Sequence, residues 1–105
     1  MGENIGDLSG LAQAYRAYRI SLGGKEAPVI DGFTGDQRFF IGFAQIWRTK
    51  FRDEALRNQL LTNPHSPGMY RAYVPLINND AFDAAFGVKE GDKMYVAPAD
   101  RVKIW

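Results

Sequence analysis

A mainly α fold, a single small domain of about four helices with long ordered loops, is what these 105 residues predict. Three observations carry that expectation. Apolar residues recur at helical spacing from Ile5 to Leu22 and stop at Gly23-Gly24. Thr34 and Gln37 make a T-x-x-Q capping box ahead of a second apolar run. Asn79 or Asp80 on one side and Gly87 on the other bracket a short apolar segment, as a helix cap and a helix stop do.

The first helix is expected over about Glu3 to Leu22. At roughly 100° per residue, Ile5, Leu8, Leu11, Ala12, Tyr15, Tyr18 and Leu22 share one broad arc. Residues 25–33, KEAPVIDGF, read as a loop. The second helix runs from Gly35 to about Lys50 and carries Phe39, Phe40, Phe43, Ala44, Ile46 and Trp47. Asp53 suits the cap of a third, Glu54 to Leu61. Two prolines and a glycine make 62–68 a loop. MYRAYVPLI, 69–77, reads as extended, with Pro75 confining it to a sheet edge. A fourth helix ends at Phe86, and the tail to Trp105 reads as irregular.

Composition narrows the function classes. The chain is 46% hydrophobic, 24% charged and 13% aromatic, with a formal net charge of +1. That balance offers no global field for nucleic acid or a membrane surface. No apolar run approaches the roughly 20 residues needed to cross a bilayer. Cysteine is absent, so disulfides and thiolate zinc sites are excluded. There is no phosphate-binding P-loop, no G-x-S-x-G elbow and no H-E-x-x-H. AYRAYR (14–19) and WRTKFR (47–52) interleave rings and arginines as base-stacking segments do. Their rings fall on the apolar arc with the arginines at its rim, the arrangement of snorkelling side chains, so no nucleic-acid partner is expected.

The residues with chemistry are few. Glu3 and Asp7 stand four apart, on one face of the first helix. They read either as a charged first turn complementing the helix dipole or as a metal ligand with a supporting carboxylate. His65, the single histidine, reads either as an ordinary loop histidine or as a donor to a developing oxyanion. Arg71 is either a surface arginine or a fork of donors for a carbonyl or carboxylate. A catalytic zinc site usually takes three protein ligands, and this chain cannot close one by itself.

ENIGD (3–7), GFAQIW (42–47), NPHSPGMYR (63–71), AFDAAFGV (81–88) and VKIW (102–105) occur in this order. Together they resemble the C-terminal end of the neprilysin family of zinc metallopeptidases, from Glu3 to Trp105. The resemblance implies a part of a larger zincin-type catalytic domain and assigns roles. Glu3 matches the third zinc ligand. Asp7 matches the aspartate that hydrogen-bonds to a zinc-ligating histidine. His65 matches the histidine that stabilises the transition state, and Arg71 the arginine that holds the bound peptide's main chain. The other two zinc ligands and the general-base glutamate belong to an H-E-x-x-H motif N-terminal to this region. Arg48, Val88 and Val102 stand where animal members carry cysteine, which suggests a bacterial-type member. Gly6 stands where alanine is more common, at a cost of up to about 1 kcal/mol within a helix.

The expectation is therefore a zinc metalloendopeptidase whose partners are the rest of the peptidase chain and its peptide substrates. Met1-Gly2 running straight into a helix reads as an introduced start, which leaves room for a removed upstream targeting segment. These 105 residues alone are expected to be inactive, to bind zinc only weakly and to self-associate through uncovered apolar surface. The rival reading is a free-standing helical protein-interaction module without catalysis. Substrate preference and cellular location, cytoplasmic or exported, stay open at this level.

Overall fold

The computed structural model describes residues 2–48, 52–62 and 68–103. Its elements are α1 (Gly2–Ser21), α2 (Gly35–Ile46), α3 (Asp53–Thr62), α4 (Gly68–Ile77), α5 (Asp80–Phe86) and a 3-10 turn at Pro98–Asp100. No strand occurs among the described residues. The mainly helical expectation holds, with one more helix than anticipated.

Most boundaries follow from local chemistry. Gly23 and Gly24 take the left-handed φ values of 60° and 80° beyond the end of α1. Within the loop that follows, Ile30 and Phe33 exchange both backbone hydrogen bonds at 3.0 Å across Asp31 and Gly32. Both central residues have positive φ, the geometry of a tight hairpin turn. Thr34 then opens α2: its hydroxyl accepts from the Gln37 N–H at 3.2 Å, and the Gln37 side chain accepts from the Thr34 N–H at 3.0 Å. Asn79 caps α5 by accepting from the Phe82 N–H, and Gly87 closes that helix at φ 63°.

Residues 69–77 are the correction. They form α4 rather than an extended segment, with Pro75 inside the helix. Proline cannot donate to the carbonyl four residues back, and a mid-helix proline costs about 3 kcal/mol. Tertiary burial opposes that cost. Pro75 and Leu76 are both buried, where α4 packs against α1, α2 and α5. Full burial of one leucine side chain contributes about 1.5–3 kcal/mol, and the helical turn also brings Arg71 and Ala72 to the inner face.

Phe40, 1% exposed, is the centre of the core. Its ring stacks on Tyr15 of α1 at 5.5 Å and meets Phe39 and Phe82 edge-on at 5.1 and 5.6 Å. Such pairs add directional preference to plain burial. Leu11, Leu76 and Phe82 complete the buried apolar cluster among the described residues. The arc anticipated on α1 is thus only partly used: Leu11 is buried, Leu8, Tyr15, Tyr18 and Leu22 are half-buried, and Ile5 and Ala12 are exposed. A polar clamp fastens the tail to α5. Arg101 donates to Asp80 at 2.7 Å and to Asp83 at 2.5 Å, and Lys103 donates to Asp80 at 2.6 Å.

Candidate functional site

Asp7 is carried by α1 one turn before the core residue Leu11, and Arg71 by the first turn of α4. Packing of α1 against α4 brings them together across 64 positions of sequence. Arg71 Nε donates to Asp7 Oδ2 at 2.8 Å, and Nη2 donates to Oδ1 at 3.0 Å. This is the two-pronged guanidinium–carboxylate geometry, with both groups charged and their planes fixed relative to each other. The side chains are only 15% and 16% exposed, so solvent screens the pair weakly.

A third residue completes the arrangement. Trp47 forms the C-terminal cap of α2, its backbone N–H donating to the Ala44 carbonyl at 3.1 Å. The Arg71 guanidinium carbon lies 4.2 Å from the centre of its ring. A cation held over an indole face is attracted by the ring's negative face. Three helices therefore meet at one guanidinium.

Two apolar openings flank this point. A small cavity of about 70 Å³ is lined by Asn4, Asp7, Tyr70, Arg71, Val74 and Pro75. A larger groove of about 380 Å³ lies between α1 and α2, beside Asp7, over Gly6, Gly10, Ala14, Phe43 and Ile46. A Cβ added at Gly6 or Gly10 would meet nothing within 4 Å, so the α1 backbone is open along this face.

Of the residues singled out from sequence, Asp7 and Arg71 are brought into direct contact. Glu3 lies in α1 one turn before Asp7, and its side chain is outside the described residues. His65 also lies outside them. The sequence places Trp47 on the apolar face of the second helix, at the end of GFAQIW and the start of WRTKFR, and marks it with no role in a site. Among the described residues no group of three or more His, Asp or Glu side chains is placed to hold a metal ion.

The described site is thus a carboxylate–guanidinium pair and an indole brought together from three helices beside an open groove. The model of Peptidase family M13 matches residues 1–102. The chain belongs to that family and corresponds to the C-terminal region of a neprilysin-like peptidase. It is 38% identical to human neprilysin over 109 residues and 39% identical to Neprilysin-1 of Caenorhabditis elegans. All or nearly all of this chain is covered, and it spans 14% of the length of each of these relatives. The crystal structure of the zinc metalloprotease ZMP1 of Mycobacterium tuberculosis in complex with an inhibitor superposes with a TM-score of 0.95 at 53% identity. That match covers 99% of this chain and 16% of the other. Zinc use is thus a property of the family, and the bacterial structure is nearer in sequence than these animal relatives.

Proposed function

We propose that this chain supplies one wall of the active site of a zinc metalloendopeptidase, with the remaining walls provided by other parts of a longer polypeptide. The observation that carries this reading is the Asp7–Arg71 fork, one helical turn from Glu3 and beside an open apolar groove. Glu3 would hold the zinc ion through a carboxylate oxygen. Zinc, when bound, polarises the scissile carbonyl and activates a water. Asp7 accepts from the ring N–H of a histidine ligand supplied by the longer chain, fixing that ring's tautomer. A carboxylate has about four lone-pair positions, so accepting twice from Arg71 leaves Asp7 capacity for this further bond. Arg71 holds a main-chain carbonyl of the peptide, and His65 donates to the oxyanion that develops on the scissile carbonyl. The chain by itself holds neither the two histidine ligands nor the general base, so it is inactive and takes up no stoichiometric zinc.

Metal analysis and peptide hydrolysis in the full-length peptidase test the assignment. Glu3→Gln is expected to lose most of the bound zinc and most of the activity, since a neutral amide is a much poorer zinc ligand than a carboxylate. Full zinc occupancy in that variant would sink the ligand role. Calorimetry of the 105-residue chain should show no tight one-to-one zinc binding.

A further inference from the structure

We propose that the Asp31–Gly32 bond is a site of spontaneous covalent modification, where the turn before α2 closes to a succinimide and reopens as isoaspartate. Of the aspartates and asparagines in the chain, only Asp31 is followed by glycine. The attacking atom is the Gly32 amide nitrogen, and glycine has no side chain to shield it. A Cβ built at Gly32 would meet nothing within 4 Å, so the approach is open in space as well. Both residues are exposed, and the Asp31 carboxyl enters no hydrogen bond or ion pair among the described residues. The two hydrogen bonds of the turn join Ile30 and Phe33 and leave the Gly32 N–H outside them. Ring closure needs Asp31 to rotate about ψ until its carboxyl carbon faces that nitrogen, so the turn must first open. Two features make opening easy. The Ile30–Phe33 pair is an isolated bridge, and a lone two-stranded turn is marginal in water. Asp31 is the one non-glycine among the described residues at positive φ, 54°, a conformation that L side chains disfavour.

The step balances without any reactant but water. The Gly32 nitrogen attacks Cγ of Asp31 in its acid form. The N–Cγ bond forms, the amide proton and the carboxyl hydroxyl leave as water, and a cyclic imide results. Water then adds to one of the two imide carbonyls. Addition at Cγ restores aspartate, whereas addition at the main-chain carbonyl breaks the original peptide bond and leaves the chain running through Cβ. The extra backbone atom is incompatible with a two-residue hairpin register. Phe33, whose carbonyl also accepts from Arg38 Nη1 at 2.7 Å, leads directly into the Thr34 cap, so the modification loosens the entrance to α2.

The test holds the folded full-length peptidase at physiological temperature for several weeks, then digests it. Electron-transfer fragmentation of each aspartyl peptide distinguishes the β-linkage. The isoaspartate fraction at Asp31 is expected to exceed that at Asp36 or Asp83 by about tenfold or more, because those two lie inside helices and react only after cooperative opening. A smaller excess would overturn the proposal. The rate at Asp31 should also lie within about tenfold of that in the free peptide KEAPVIDGFTGDQR, since a turn that opens readily protects little. Stronger protection than this would mean that the folded chain covers or locks the turn, and the site would be lost. Asp31→Asn supplies an independent check. Asparagine tolerates the left-handed region, so the turn is kept, and the same ring closure now expels ammonia instead of water. The variant is expected to lose ammonia at position 31, giving a mixture of aspartate and isoaspartate, faster than the parent chain isomerises. A variant that stays intact over the same period refutes ring closure in the folded turn.

Discussion

Asp80 and Asp83 lie one turn apart on α5 and share Arg101, yet the fold moves their protons in opposite directions. Hydrogen bonds from Lys103 and then Arg101 hold the Asp80 carboxyl below the usual aspartate range. Burial pushes the Asp83 carboxyl up, and the Arg101 charge opposes this only in part. Asp80 therefore contributes stability that is complete above its unfolded pKa and is lost as pH falls through its lower folded value. Asp83 contributes stability that is complete below its unfolded pKa and is lost as pH rises through its higher folded value. Removing Asp80 should thus flatten the acid limb of stability. Asp80→Asn is expected to show a smaller drop in Tm than the parent chain between about pH 6 and about pH 3. Scanning calorimetry at both pH values checks this, and equal drops would show that the tail clamp does not govern acid sensitivity.

Among the helices, α2 links the core to the site, with Phe40 in its middle and Trp47 at its end. Its start depends on two reciprocal bonds between Thr34 and Gln37. Thr34→Ala removes the side-chain acceptor and should cost about 1 kcal/mol. That corresponds to a Tm lower by about 4–8 °C for a chain of this size. An unaltered melting curve would mean that Gln37 secures this end unaided. This box, the Asn79 cap and the Gly87 stop were all legible in the sequence, because each is decided by residues within one turn of each other. The helix α4 was not. Proline's penalty is local and visible, whereas the burial that outweighs it comes from α1, α2 and α5, distant in sequence. The site divides in the same way. Asp7 and Arg71 could each be marked as chemically promising, but no spacing rule joins residues 64 positions apart. Trp47 gave no separate sign, since an indole at the end of an apolar helix face looks like rim packing until an arginine is found on it.

Across the whole molecule, apolar surface is only partly withdrawn from water. Four apolar side chains, Leu11, Phe40, Leu76 and Phe82, are buried among the described residues. Ile20, Ile46, Leu61 and Met69 stay mostly exposed. The radius of gyration is 15.3 Å, against about 13 Å for a self-contained domain of similar length. The ring cluster around Phe40 holds α1, α2 and α5 together, while the α1–α2 groove stays open. That limited burial has a calorimetric consequence. The heat-capacity increment of unfolding scales with the apolar area newly hydrated, about 1.2–1.5 kcal/mol/K for an ordinary 100-residue domain. For this chain the increment should fall clearly below that range, and the urea slope should be correspondingly shallow. Unfolding here hydrates comparatively little new surface, so the stability curve should be broad and flat, with its enthalpy changing slowly with temperature.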